Sequence, residues 1–484
     1  MTSTLKQAPS HTLWTSAEAS KATSGTTSGD WYATGVSIDT RDLQAGDLFI
    51  ALKGDNSDGH AHVKAALEKG AAAAVVSQKL DGIDAAKLLI VEDTFKALQD
   101  LGKAARARTA AKIIGVTGSV GKTGTKEMLS KAFSAFGQTA WSVKSFNNHW
   151  GVPLSLARMH AGSDYGIFEM GMNNPDEITP LTHQVRPDIA IITTVAPVHV
   201  GNFKNGIDDI AKAKAEIFAG LPKNGTAIIN RDIDHYEFLL NAAKEQGVAK
   251  VLSFGETDGA DARLIDCLVA SNGVRVKADI IGEEITFILK DAGRHIAMNA
   301  LSVLLALKVA GLDIKKAAKA LEQIEPPQGR GKRELLDIGD ASNPVTLIDE
   351  SYNASPVAMQ AAFKVLAMID PGRNGRRIAI LGDMLELGTD GPRLHAELAL
   401  PLKAANIDLV YTCGNLMKNL SNALPNDNKK FHAETSAELA QIVPDVLVPG
   451  DVVMVKGSLG SKMNVVVEAL RSLPTKKKAA NAER

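Results

Sequence analysis

Apolar residues in this chain gather into short unbroken runs separated by longer stretches with helical spacing. In the middle of the sequence the runs are Ile113–Thr117, Gly166–Met170, Ile189–Thr194, Ala227–Asn230 and Val251–Phe254. Toward the C-terminus they are Val345–Asp349, Arg377–Leu381, Leu409–Thr412 and Val452–Lys456. A strand covered on one face alternates apolar with polar residues, whereas one buried on both faces reads as a continuous apolar run. Such runs alternating with helices therefore predict an α/β fold of mainly parallel sheets with helices on both faces. In such sheets ligands collect at the carboxyl ends of the strands. The first part is mixed: strand Leu48–Leu52, helix His62–Lys69 and strand Ala73–Val76 predict a smaller α/β unit.

Two stretches interrupt this pattern. Ala104–Lys112 (AARARTAAK) is small and basic, and Glu325–Arg333 (EPPQGRGKR) is rich in Pro and Gly without periodic apolar signal, as a linker is. They divide the chain into domains at 1–108, 109–325 and 326–484, the last expected to be Rossmann-like. A length of 484 residues is indeed too great for one ordinary core.

Composition narrows the class. With 45% apolar and 23% charged residues the chain reads as a globular enzyme rather than a disordered or membrane protein. A formal charge of −1 provides no field to recruit nucleic acid, and Lys476–Lys478 reads as a solvated tail. Cys267 and Cys413 lie far apart without metal-ligand spacing, which excludes a disulfide framework and fits a reducing cytoplasm. Met1–Thr15 lacks a signal peptide's apolar core and no run reaches the length of a membrane span, so a cytosolic protein is expected.

The clearest chemistry lies at Ile113–Thr123 (IIGVTGSVGKT), a strand, a glycine-rich turn and a helix start. Thr117, Gly118, Ser119, Val120, Gly121, Lys122, Thr123 and Gly124 would cradle a nucleotide's phosphates. Glycines let the backbone approach the anion, the helix start points amides at it, Lys122 adds charge, and the Thr123 hydroxyl can ligate Mg²⁺. Val116 stands where the commonest phosphate loop has its first glycine, so this is the variant T-G-x-x-G-K-T.

Three further positions invite a metal reading. Glu169 ends a strand beside the loop, where a Mg²⁺ ligand belongs, although a solvated loop acid would look the same. His199 follows the strand Ile189–Thr194 and is read equally well as a structural histidine. Lys214 lies on a helix with Lys212, and by itself an exposed helix lysine is the ordinary reading. Asn299, ahead of the apolar stretch Leu301–Ala310, can read a purine edge or cap a helix. Asp349 can accept from ribose hydroxyls, and Tyr352 can stack on a base or pack in a core.

The loop's T-G-x-x-G-K-T form resembles that of the Mur ligases. The likeness extends along the chain through FNNHWGVP (146–153), EMGMN (169–173), DESYNASP (349–356), ILGDMLELG (380–388) and KGS (456–458). Leu459 departs from it, since Arg commonly follows K-G-S. Asp39-Thr40-Arg41 varies a usual Asp-Ser-Arg and, with Lys53-Gly54 and Asp58-Gly59-His60, resembles the family's UDP-sugar-binding region.

The resemblance implies roles for these residues. Thr123 and Glu169 would hold one Mg²⁺, and His199 with a carbamylated Lys214 a second. Asn299, Arg330, Asp349, Tyr352 and Asn353 would bind ATP. Thr40, Arg41, Lys53, Asn147, Asn148, Asn173, Lys456 and Ser458 would bind the other substrates. Those implied are UDP-N-acetylmuramoyl-tripeptide, bound by the first domain, and D-alanyl-D-alanine, met by the third as it closes over ATP. The protein is expected to act as a monomer. Rival readings are a sister amino-acid or folylpolyglutamate ligase, a phosphotransferase or GTP switch, and a non-catalytic scaffold. The loop spacing and the lack of an N-K-x-D sequence argue against the second, and the set Lys122, Glu169, His199 and Lys214 against the third.

Overall fold

The computed structural model describes residues 11–473, apart from 55–56, 144, 198–201, 271–272, 327 and 426–429. Its largest sheet has nine strands, in the order Glu283–Leu289, Gly273–Ile280, Ala262–Ala270, Lys250–Gly255, Thr226–Asn230, Ile189–Ile192, Lys112–Thr117, Tyr165–Glu169 and Thr139–Trp141. Lys112–Thr117 lies between Ile189–Ile192 and Tyr165–Glu169, parallel to both. The chain leaves this strand toward one edge, returns, and then crosses to its other side. That reversal opens a crevice at the carboxyl ends of the three strands, the topological switch point where α/β sheets bind ligands.

Burial explains the unbroken apolar runs. Ile114, Val116, Ile167 and Ile191 face one core with the helices Lys122–Ser134 and Arg294–Val309. Their neighbours Ile113, Phe168, Ala190 and Ile192 face the opposite core with the helices Ile178–Val185 and Ile207–Ala215. Successive side chains point to opposite faces, so a sheet covered twice needs apolar residues at every position.

The edge formed by residues 262–289 is built differently. Ala262–Ala270, Gly273–Ile280 and Glu283–Leu289 are paired antiparallel. Ala262, Leu264, Val274, Val276 and Phe287 pack with the helix Arg294–Val309, while Leu268 and Ile288 face outward, each 56% exposed.

The C-terminal sheet runs Lys332–Leu336, Val345–Glu350, Val452–Lys456, Arg377–Gly382, Leu409–Cys413, Lys430–Ala433 and is parallel except for its first strand. That strand corrects one expectation: the Pro/Gly-rich stretch Glu325–Arg333 is not linker to its end, since Lys332 and Arg333 already pair with Asp349 and Ile348. The first part of the chain holds a parallel sheet of Gly35–Ser37, Asp47–Ile50, Ala73–Val76 and Leu88–Ile90. The basic stretch after it is a fastener. The helix Thr94–Ala107 runs into it, Arg106 donates to the carbonyls of Val185 (2.8 Å) and Arg186 (3.0 Å), and Arg108 lies 3.9 Å over the Trp14 ring. Among the described residues no helix is long and apolar enough to cross a membrane.

Candidate active site

The phosphate loop turns at Gly118 (φ 145°) and Gly121 (φ 88°), and the helix Lys122–Ser134 starts immediately after. A Cβ on Gly118 would lie 2.0 Å from Thr193 Oγ1, so only glycine fits against the neighbouring strand's tail. That tail shapes the loop. Thr193 Oγ1 donates to the Val120 carbonyl at 2.6 Å, with the Thr117 carbonyl at 3.3 Å. Ser119 donates its amide to the Thr194 carbonyl (2.9 Å), and its hydroxyl bonds the Ala196 backbone at both polar atoms. Thr193 and Thr194 carry no motif in the sequence; their part follows only from strand order.

Lys122 Nζ folds back to the loop, donating to the carbonyls of Gly118 (2.5 Å) and Ser119 (3.4 Å). Burial pushes its pKa below the ordinary lysine value; Glu169 opposes the shift and Arg330 adds to it. Thr123 and Gly124 are half-buried in the first helical turn, and the Thr117 hydroxyl is buried without a partner among the described residues.

Glu169 is buried at the end of its strand. Its Oε1 accepts from Asn147 Nδ2 at 2.8 Å, whereas its Oε2 has no hydrogen-bond partner among the described residues. Asn147 is itself held by the Gly171 amide, which donates to its carbonyl at 2.8 Å. Asn147, expected to touch substrate, here orients Glu169.

Lys214 is 2% exposed and, among the described residues, has neither a hydrogen bond nor an ion pair. Burial pushes its pKa well below the ordinary value and Lys122 pushes it further, against weaker opposition from Glu216, Glu169 and Glu177. Two residues earlier, Lys212 is exposed and pairs with Asp209 at 2.9 Å. Glu216 also fixes the site's rim, accepting the amides of Asp176, Ile178 and Thr179 at 2.7–2.9 Å. His199 lies outside the described residues. Among the described residues no group of three or more His, Cys, Asp or Glu is placed to hold a metal ion. The donor set is instead one half-satisfied carboxylate, a hydroxyl and a lysine disposed to be neutral. A free carboxylate oxygen beside a phosphate loop fits a hard cation.

Asn299 is buried beside the loop: a Cβ on Gly121 would lie 2.9 Å from its Oδ1. Its helix begins at Arg294, capped by Gly293, so Asn299 lies inside the helix and the capping reading does not hold. Asp349 is buried and all its acceptor sites are used. Oδ1 takes the Ser351 hydroxyl (2.6 Å) and amide (3.2 Å), and Oδ2 the Gly329 amide (3.0 Å) and Arg471 (3.1 Å). It ties the turn at Gly329–Arg330 to the turn at Ser351–Tyr352. Arg330 lies 4.3 Å over the Tyr352 ring, and the Tyr352 hydroxyl donates to Ser145 Oγ at 2.9 Å. Asn353 is exposed and bonds the Ala354 amide. Lys456 is buried between Glu350 (2.9 Å) and the Asn353 carbonyl (3.0 Å), and Ser458 Oγ accepts the Leu385 amide at 3.0 Å. Leu459 is exposed.

A cleft of about 720 Å³ opens where Lys53 and His60 meet Thr94, Asn148 and Trp150. Within it His60 bonds Asp58 (2.6 Å) and accepts the Ser77 amide (2.9 Å). Asn148 Oδ1 accepts the amides of Trp150 (3.2 Å) and Gly151 (2.9 Å) where the helix Gly151–Ala157 starts. Ser77, Thr94 and Trp150 were not expected here; of these only Trp150 lies in a quoted motif. Thr40 and Arg41 are not in the cleft wall, Arg41 being exposed and paired with Asp39 at 2.6 Å. Asn173 is exposed, its amide donating to Glu177 at 2.7 Å.

Family comparison agrees with this geometry along the chain. The model of the Mur ligase family catalytic domain matches residues 32–110, that of the Mur ligase middle domain residues 116–307, and that of the Mur ligase glutamate ligase domain residues 336–459. The UDP-N-acetylmuramoyl-tripeptide–D-alanyl-D-alanine ligase of Rickettsia prowazekii is 36% identical over 90% of this chain and 94% of its own. The chain belongs to the Mur ligase family. The Escherichia coli ligase of the same name is 34% identical over 90% of this Mur ligase and 93% of its own length. A crystal structure of MurF from Acinetobacter baumannii superposes with a TM-score of 0.80 at 28% identity, covering 95% of this chain and 99% of that one. As a Mur ligase the protein is an ATP-dependent enzyme that forms carbon–nitrogen bonds, which removes the phosphotransferase and scaffold rivals.

Proposed function

We propose that this Mur ligase joins D-alanyl-D-alanine to UDP-N-acetylmuramoyl-tripeptide, acting as a cytosolic monomer in the synthesis of peptidoglycan precursor. The observation that carries the chemistry is the phosphate loop with Lys122 folded onto it at the switch point, beside a buried Glu169 that keeps one carboxylate oxygen unpartnered among the described residues. The substrate assignment is supported by the relatives of that name, which match nine tenths of the chain.

ATP lays its phosphates on the loop amides from Gly118 to Gly124 and on the start of the helix Lys122–Ser134. Lys122 exchanges its two carbonyl contacts for phosphate oxygens and stabilises the charge that gathers there. The acceptor's carboxylate attacks the γ-phosphorus, the bond to ADP breaks, and an acyl phosphate forms. The amine of D-alanyl-D-alanine then attacks the acyl carbon, loses a proton, and phosphate leaves. Thr123 and Glu169 would hold one Mg²⁺ and His199 with Lys214 a second, and the ions, when bound, would supply charge neutralisation at the transferring group. Burial favours the neutral form of the Lys214 amine, the form that adds carbon dioxide, the N–C bond forming as a proton departs, to give an oxygen-donor carbamate. Asn299, Arg330, Asp349, Tyr352 and Asn353 form the nucleoside side, with Asp349 acting through the turns it ties. The cleft at Lys53 and Asn148 takes the UDP-linked acceptor, with Thr40, Arg41 and Asn173 outside its wall. Lys456 and Ser458 meet the dipeptide. Domains 1–108, 109–325 and 326–484 thus bind precursor, ATP and dipeptide in turn, and closure of the last excludes the water that would hydrolyse the acyl phosphate.

The test is a panel of amines offered with UDP-muramoyl-tripeptide and ATP. D-Alanyl-D-alanine is expected to drive ADP release and amide formation. Equal or better turnover with a single amino acid would make the protein a sister ligase.

A further inference from the structure

Ser142 and Asn147 grip Glu169 from two sides. The Glu169 amide donates to Ser142 Oγ (3.3 Å), and Asn147 Nδ2 donates to Glu169 Oε1 (2.8 Å). Asn147 is seated in turn by its amide on the Ser145 carbonyl, at 2.8 Å. Ser145 carries a hydrogen bond from a residue 207 positions away, the Tyr352 hydroxyl. Tyr352 lies in the turn organised by Asp349, with its amide on the Gly329 carbonyl (3.1 Å) and its ring under Arg330. An unbroken path therefore runs from the C-terminal sheet to the free oxygen of Glu169.

We propose that Ser145 and Tyr352 are positioning residues for the metal site: their hydrogen bond, made when the C-terminal domain is docked, sets Asn147 and through it aims Glu169 Oε2. The inference deepens the reading of Glu169 as a Mg²⁺ ligand and rests on it. Without the bond, the Ser145–Asn147 turn loses its only hydrogen bond to the C-terminal domain among the described residues, and Asn147, left to the Gly171 amide, fixes the carboxylate's rotation less firmly. Groups that orient metal ligands govern affinity nearly as strongly as the ligands themselves. Metal binding and domain docking are then linked, each favouring the other by the same factor.

The experiment measures ADP affinity by calorimetry with and without Mg²⁺ and takes the ratio, the tightening that Mg²⁺ confers. Ser145→Ala is expected to reduce the ratio about three- to tenfold, the scale of one net hydrogen bond, with metal-free ADP affinity unchanged. Tyr352→Phe, which keeps the ring, is expected to reduce the ratio equally, and the double variant no further, because both remove one bond. Glu169→Gln is the control and is expected to abolish the tightening. An unaltered ratio in either single variant, or additive losses in the double, would overturn the inference while Glu169→Gln still upheld the ligand. A retained ratio in Glu169→Gln would overturn the ligand reading itself, and this inference with it.

Discussion

Replacing Lys214 by Met separates stability from function, because the wild-type residue is costly where it stands. Its side chain is buried, and among the described residues its amine has no hydrogen bond or ion pair to offset the loss of water. An unsatisfied buried polar group costs about 1–3 kcal/mol, and Met fills the same straight-chain volume without one. Lys214→Met should therefore be about 1–3 kcal/mol more stable than the wild type in carbon-dioxide-depleted buffer. The gain depends on pH. Because the folded pKa lies below the ordinary 10.5, the unfolded chain binds more protons in the interval between them, and wild-type stability rises with pH there. The advantage of Met then shrinks as the pH rises toward 10.5. Ligation should fall by roughly 10²–10³-fold or more, the scale of losing a preorganised charge-stabilising group. Lys214→Ala should be equally inactive, but short carboxylic acids such as acetate should partly restore it by filling the space of the carbamate. Lys212→Ala removes only an exposed ion pair, worth about 0–1 kcal/mol, and should be nearly silent. Thermal unfolding across pH and an ADP-release assay with and without acetate read these outcomes. Full activity in Lys214→Met would show that Lys214 takes no part in ligation.

Lys122→Ala should fold normally yet lose roughly 10²–10³-fold in turnover; near-normal ADP formation in the folded variant would remove Lys122 from the phosphate site. Gly118→Ala places a methyl 2.0 Å from Thr193 Oγ1, and should cost about 1–3 kcal/mol for the backbone strain alone, read as a lower melting temperature together with weaker ATP binding. Unchanged stability would mean that the loop is not fastened through Thr193. Tyr352→Ala should weaken ATP binding by roughly 1–3 kcal/mol if the ring stacks on the base, a range taken from base–aromatic stacking in nucleic-acid complexes. Lower thermal stability with unchanged ATP affinity would leave the ring a purely structural part.

The parallel strands were legible because twofold burial writes itself as unbroken apolar runs, and Val452–Lys456 is found as expected. The strands Ala262–Ala270 to Glu283–Leu289 were not, because a half-covered sheet puts Asp266, Lys277 and Glu284 among its apolar positions, and residues such as Leu268 face solvent. In the site, Lys122 was legible from its spacing, and Lys214 only through resemblance, since nothing local distinguishes it from Lys212. The fastening of the loop by Thr193 and the orienting of Glu169 by Asn147 could not be read at all. Both depend on which strands and loops become neighbours, and strand order reverses at that point.

In the proposed reaction the acceptor's own carboxylate is phosphorylated, and the dipeptide's amine then displaces phosphate from the acyl carbon. It is tested most directly with UDP-muramoyl-tripeptide carrying ¹⁸O in that carboxylate, together with ATP and D-alanyl-D-alanine. Mass spectrometry of the products should find one ¹⁸O in each phosphate released, in step with each new amide bond. Phosphate without label, or ADP formed with no matching amide, would contradict the account.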